Sequence, residues 1–258
     1  MYSKEELLEE LRTDLVGQKL FLFDSLDSTN ACAKTLAEAG MDEGAVILTD
    51  FQTEGRGRLG RVWQSEPGKN LLFSCIFRPA VAKEQAGLLT FAVAISIARA
   101  LEHTTKLSVE CKWPNDLLIG GKKCCGILLE NSFNKETLTY SVVGIGVNVN
   151  QTGFEESLRA SVTSLAQETG NEIDRKKLFL AMMNELDAHY KAAGKGDFRT
   201  VLQEWNRRCT MFGKETHVSR EGVAISGKAI GLSADGGLIL ETAQGKETVY
   251  AGDVTVIQ

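Results

Sequence analysis

Residues 55 to 61 read Gly-Arg-Gly-Arg-Leu-Gly-Arg, three glycines alternating with three arginines shortly after the apolar run Ala45-Val46-Ile47-Leu48 and just before Trp63. Glycine lets a backbone take positive φ and approach a ligand closely. Guanidinium groups present fixed forks of donors that match carboxylate or phosphate oxygens. A loop of this composition holds anions. A second stretch, Lys112-Trp113-Pro114-Asn115-Asp116, is followed by Gly121-Lys122-Lys123-Cys124-Cys125-Gly126. Pro114 is expected to end a strand and fix a turn that aims Asn115 and Asp116 off the sheet. A carboxylate there suits Mg²⁺, which takes only one or two protein carboxylates when phosphates complete its shell. Across the Gly120-Gly121 turn, Lys123 brings an ammonium to the same place. Taken singly, such an Asp and Lys are usually solvated; beside the Gly-Arg loop they read as parts of one site.

Composition narrows the partners. The 258 residues carry a net charge of −5, with 43% hydrophobic and 24% charged residues. These are the proportions of a globular chain able to bury a core. An acidic balance argues against broad binding to DNA or membrane, which calls for a basic face. A basic loop on an acidic chain points to a small anionic ligand instead. The six cysteines lack C-x-x-C spacing and are expected to be reduced and buried. His103, His189 and His217 are too scattered for a metal site. The acidic amphipathic opening, residues 4 to 11, is unlike a secretion signal, so a cytoplasmic location is expected. The most apolar stretch, 86 to 101, is interrupted by Thr90, Ser96 and Arg99 and is short of ~20 apolar residues, which predicts a buried helix rather than a membrane span.

The elements that must position these residues follow from periodicity. Strands are expected at 20 to 23, 45 to 51, 71 to 77, 107 to 112, 117 to 119, 124 to 130 and 137 to 150. Helices are expected at 4 to 11, 31 to 39 (after the cap-forming residues Asp27-Ser28-Thr29-Asn30), 84 to 102, 154 to 168, 175 to 193 and 198 to 208. Gly120-Gly121 signals a tight hairpin, and the alternation of Val143, Ile145, Val147 and Val149 with small residues predicts one face in the core. Beyond residue 211 the texture changes to short strands at 215 to 219, 224 to 231, 238 to 242, 246 to 251 and 254 to 257, separated by glycine turns at Asp235-Gly236-Gly237 and Gln244-Gly245. The reading is an α+β chain: a mixed-sheet domain over residues 1–210 and a small β-barrel over 211–258.

Several motifs in order carry more weight than any one. Asp27-Ser28-Thr29-Asn30, Gln52 with the Gly-Arg loop, the 112 to 116 stretch, Lys123 with Gly126, and Gly144-Ile145-Gly146-Val147-Asn148 together resemble the biotin protein ligases, over roughly residues 20 to 258. The resemblance implies a class II synthetase-like catalytic fold with an SH3-like C-terminal barrel. It implies an ATP-dependent ligase that makes biotinyl-5′-AMP and transfers biotin to a lysine of a biotin carboxyl carrier domain. Ser28, Thr29, Asn30 and Gln52 would meet the ureido ring, with Gly55, Arg56, Gly57, Arg58 and Lys123 completing the biotin site and Gly126 and Gly144 allowing close approach. Arg56, Arg58, Trp63, Lys123 and Asn148 would hold ATP, with Trp63 on adenine. Arg56, Lys123 and Asp116 would be catalytic, and Asp116 would hold Mg²⁺ or orient the acceptor lysine. The glycine-rich loop is expected to be open without ligand and ordered with it. A homodimer through a sheet edge is part of the same expectation.

Only about twenty residues precede the first catalytic strand, where a helix-turn-helix module needs three helices. Ligase activity without specific DNA binding is therefore expected. Leu59 stands where many relatives place a further arginine. Three rivals differ in what they require. A lipoate-type ligase of the same fold has another glycine pattern; a nucleic-acid module needs a basic balance; a biotin store needs neither Lys123 nor Asp116.

Overall fold

Side chains alternate faces along a strand, so a strand covered on both sides is apolar throughout. The third strand is of this kind, with every residue from Leu71 to Phe77 buried. The computed structural model describes residues 3–220 and 223–256. Seven strands form one mixed sheet: β1 (Leu20–Phe23), β2 (Val46–Thr49), β3 (Leu71–Phe77), β4 (Glu110–Lys112), β5 (Asp116–Ile119), β6 (Lys122–Asn134) and β7 (Thr137–Val147). Their order is β1-β2-β3-β7-β6-β5-β4, and β1 with β2 is its parallel pair. Gly120 and Gly121, at φ 56 and 77, form the expected tight turn between β5 and β6.

The helices are α1 (Lys4–Glu10), α2 (Thr29–Glu38), α3 (Leu89–Thr105), α4 (Leu165–Thr169), α5 (Arg175–Ala193) and α6 (Arg199–Arg208). One sheet face packs Phe73, Cys75, Val143, Ile145 and Val147 against α3 and α5 in the main core. The other face packs Ile47, Ile76 and Val142 against Ala33 and Ala37 of α2. With its leading 3₁₀ turn, the segment Lys83–Thr105 is long and apolar enough to cross a membrane, yet most of it is buried inside this fold.

Two charged networks tie the helices down. The Asp187 carboxylate on α5 accepts from the backbone N–H groups of Leu15 at 2.8 Å, Val16 at 2.9 Å and Asp14 at 3.3 Å, fixing the loop between α1 and β1. Burial works against its charge, but these bonds and Lys191 hold its carboxyl below the usual range. Asp187→Ala strands three donors and is expected to cost about 3 kcal/mol, read by urea denaturation. On α6, Glu204 bonds Arg99 of α3 and Arg208, and Arg208 also reaches Glu102 at 2.6 Å. Burial alone would raise the Glu204 carboxyl, yet the bonds from Arg99 and Arg208 bring it down to about 2. Because the folded value lies below the unfolded one, this stabilisation is complete above the ordinary glutamate range and is lost as pH falls toward about 2. The melting-temperature gap between the natural chain and Glu204→Gln is thus expected to be widest above pH ~5 and to close on acidification.

Residues beyond α6 build a second sheet from β8 (Glu215–Arg220), β9 (Val223–Leu232), β10 (Leu238–Thr242), β11 (Gly245–Val249) and β12 (Asp253–Val256). Its order is β11-β10-β9-β8-β12, all antiparallel. Residue 257 of the expected last strand lies outside the described residues. The barrel is not closed, since β11 and β12, five and four residues long, share no ladder among the described residues. The sheet is anchored where the Trp113 indole N–H donates to the Gly236 carbonyl at 3.0 Å. Gly236, at φ 88, sits so close to Leu88 and Phe91 that a Cβ would fall 2.9 and 2.7 Å from them.

One expected helix is mostly absent. Of 154 to 168 only α4 is α-helical, capped by the Ser164 hydroxyl, which accepts from Gln167. The preceding backbone is drawn onto β6 instead: the Lys123 N–H donates to Ser161 O at 2.8 Å and the Thr163 N–H to Lys123 O at 2.9 Å. Strand-like pairing outcompetes helix there.

Candidate active site

Three glycines leave one patch of the sheet bare. Ser74 on β3 pairs with Gly144 on β7, Gly146 pairs with Gly126 on β6, and Gly126 pairs with Asp116 on β5. Over this floor opens a cavity of about 470 Å³ lined by the Gly-Arg loop, the 112 to 116 turn and residues from 154 to 162. Gly252, Val254 and Thr255 of the second sheet add to its wall. Among the described residues its lining contains five cationic side chains, Arg56, Arg58, Arg61, Lys112 and Lys123, against one carboxylate, that of Asp116. An acidic chain thus carries a locally basic cavity.

Beside Gly144 lies a polar cluster. Gln52 Oε1 accepts from the Thr29 N–H at 2.7 Å and from its hydroxyl at 3.0 Å, so it caps α2 from outside. Ser28 is the N-cap residue, at φ −154, but its hydroxyl makes no capping bond and lines the cavity. Asn30 also borders the cavity and is held by protein. Its amide donates to Glu130 Oε2 at 2.7 Å and Leu128 O at 3.3 Å, and its Oδ1 lies 2.6 Å from Ser74 Oγ, so its polar atoms are all engaged by protein. Gly144 likewise makes room for Asn30, whose Oδ1 a Cβ would strike.

Two residues along β7, roughly 7 Å away, lies the charged cluster. The Trp63 indole covers Gly126 and Gly146, where a Cβ would fall 2.8 and 2.6 Å from it. Lys123 Nζ sits 5.4 Å from the Trp63 ring centroid and 2.6 Å from Asp116 Oδ1. Asp116 is the first residue of β5 rather than part of the turn, because its backbone pairs with both Lys112 and Gly126. Asn115 points its Nδ2 to Ile127 O at 2.6 Å and takes Arg58 on its Oδ1 at 3.2 Å, joining the loop to the sheet. Asn148 lines the cavity with its Nδ2 donated to Thr163 O at 3.0 Å. Beneath the floor, burial pushes the Cys124 thiol up to about 12 and the Cys125 thiol well above its ordinary value, so these thiols stay protonated.

The Gly-Arg loop folds back on itself. The Trp63 N–H donates to Gly55 O at 2.9 Å and the Gly57 N–H to Arg61 O at 2.7 Å, closing a small hairpin. Gly55 has no room for a Cβ against the Trp63 carbonyl. Leu59, at φ 55, occupies the left-handed region at the exposed tip. Arg56 makes no side-chain hydrogen bond or ion pair among the described residues and stands exposed at the cavity mouth.

Known proteins resemble this chain along most of its length. The profile of the Biotin/lipoate A/B protein ligase family matches residues 22–148, and that of the Biotin protein ligase C terminal domain matches 211–256. The bifunctional ligase/repressor BirA of Bacillus subtilis is 33% identical over 254 residues, covering 98% of this chain and 78% of its own. The chain belongs to the biotin protein ligase family. The biotin–[acetyl-CoA-carboxylase] ligase of Paracoccus denitrificans is 33% identical, with 88% of this chain and 96% of that one covered. The biotin protein ligase of Aquifex aeolicus, solved in complex with biotin and ATP, superposes with a TM-score of 0.80 at 31% identity over 93% of this chain and 99% of that one.

In this biotin protein ligase the cavity lining brings together Ser28, Thr29, Asn30, Gln52, Arg56, Gly57, Arg58, Trp63, Asp116, Lys123, Gly126, Gly144 and Asn148, with Gly55 behind the loop. Sequence reasoning did not single out Ser74, Glu130 or the wall at Phe154 and Leu158, and it read Arg61 and Lys112 only as members of their motifs. Ser74 had a signal: a hydroxyl amid seven buried strand residues needs partners. The wall from Phe154 had none, since its turns resemble a helix in composition.

Proposed function

We propose that this ligase joins biotin to ATP in the cavity, forming biotinyl-5′-AMP and pyrophosphate, and then passes biotin to a lysine of a biotin carboxyl carrier domain. One observation carries the reading: a polar cluster around Thr29 and Gln52 and a cationic cluster around Lys123 share one cavity, about the length of a short acyl chain apart. The ureido ring of biotin belongs at the first and its carboxylate, meeting the α-phosphate, at the second.

The reaction brings two anions into contact, so cations must cancel the repulsion. Arg56, Arg58 and Lys123 do this for the carboxylate and phosphate oxygens, with adenine near Asn148 and the Trp63 indole. Among the cavity's described side chains Asp116 alone offers a carboxylate, which is what a Mg²⁺ held mainly by phosphates needs. No cluster of three ligand side chains exists among the described residues. Mg²⁺ would neutralise phosphate charge. After pyrophosphate leaves, Asp116 is the group placed to orient the acceptor lysine. The mixed anhydride is destroyed by water, and the Gly-Arg hairpin, lying over the cavity, shields it. A homodimer and a cytoplasmic location, where six free thiols stay reduced, belong to the same proposal.

Pyrophosphate release with MgATP decides it. Release with biotin and none with lipoate is expected, together with a mass increase of one biotin on a carrier domain. Release with lipoate alone, or with neither acid, overturns the reading.

A further inference from the structure

Ser74 is a hydroxyl in the middle of an apolar strand, fully buried. Its Oγ lies 2.7 Å from Thr29 Oγ1 and 2.6 Å from Asn30 Oδ1. The Asn30 amide group is bound at the other end by Glu130 Oε2 and Leu128 O, at 2.7 and 3.3 Å. A carboxylate and a carbonyl only accept, so the Asn30 NH₂ must face them and its oxygen must face Ser74. That draws the one Ser74 hydrogen onto Asn30 and turns a Ser74 lone pair toward Thr29.

The same logic continues into the cavity. The Thr29 backbone N–H only donates, so Gln52 must present its oxygen to it, at 2.7 Å. Gln52 Nε2 then faces Gly55 and the cavity, and it makes no hydrogen bond among the described residues. The Thr29 hydrogen goes back to Gln52 Oε1 or Ser74 Oγ, at 3.0 and 2.7 Å, leaving a Thr29 lone pair outward. The output is an acceptor at Thr29 beside a donor at Gln52. A cyclic urea presents the complement, N–H donors beside a carbonyl acceptor.

We propose that Ser74, Asn30 and Glu130 form a positioning relay that fixes the hydrogen-bond polarity of Thr29 and Gln52 and thereby selects a urea ring. This rests on the reading of the site as the biotin pocket. Asn30 borders the cavity but has both ends of its amide bound by protein, Ser74 and Glu130 lie outside the cavity lining, and the relay acts on the ring through Thr29. Gly144 is the register partner that gives Asn30 its space.

Steady-state pyrophosphate release, with biotin and ATP varied separately, tests the relay. Ser74→Ala and Glu130→Leu are expected to raise KM for biotin roughly tenfold, with kcat and KM for ATP within about twofold. Glu130→Gln, whose amide oxygen can still accept from Asn30, is expected to restore the natural KM. An unmoved KM for biotin in both Ser74→Ala and Glu130→Leu overturns the relay, as does a Glu130→Gln enzyme no better than Glu130→Leu. Should Ser74→Ala fail to fold, the pair at position 130, on the exposed edge of the cluster, decides alone. A natural enzyme that releases no pyrophosphate with biotin would fell the functional reading itself, whereas an active enzyme with unmoved variants fells the relay only.

Discussion

Lys123→Ala is expected to slow pyrophosphate release roughly 10²–10³-fold, with the larger part of the loss in kcat. Two features place Lys123 at the reacting centre. Its backbone is pinned on both sides, to Ser161 O and by the Thr163 N–H, so the side chain starts from a fixed point on the sheet. Its ammonium stands over the glycine floor, 2.6 Å from Asp116 and facing the Trp63 ring. A cation so placed meets charge as it develops on the carboxylate and phosphate and needs no reorganisation to do so. Removing it also leaves the half-buried Asp116 carboxylate facing the incoming anions, which adds repulsion to the lost attraction. Pyrophosphate release from Lys123→Ala within about threefold of the natural rate would remove the lysine from the chemistry.

Arg56→Ala is expected to bring a loss of similar size, roughly 10²-fold, by a separable route. Arg56 has no protein partner among the described residues, and it stands exposed. Its loss strands nothing in the ligand-free fold. The melting temperature of Arg56→Ala should match that of the natural chain, while KM for ATP rises and kcat falls together. The melting temperature with saturating biotin and ATP should separate them, because ligand that binds only the folded state stabilises it in proportion to affinity. Equal ligand stabilisation of both proteins would show that Arg56 does not reach the bound anions.

The sheet was legible where periodicity speaks plainly. The alternation from Val143 to Val149 and the paired glycines 120 and 121 each met one physical demand, a core face and a positive-φ turn, and both stand as expected. The segment from 154 to 168 misled because hydroxyl and charged residues suit a helix as well as a turn, and the deciding partner was the backbone of Lys123, distant in sequence. Individual site residues followed the same division. Thr29, Gln52, Lys123 and Asp116 were readable by type and order. That Asn30 is spent on Ser74 and Glu130 was not, because the 44 and 100 residues between the partners are closed only by folding. The loop's hairpin was not legible either: three backbone bonds form it, with Leu59 in a conformation that favours glycine.

The cavity wall takes its first residue from position 28 and its last from position 255, and the second sheet is pinned to the first through Trp113. Residues more than two hundred positions apart thus share one enclosure, and its wall is complete only when the second sheet has docked on the first.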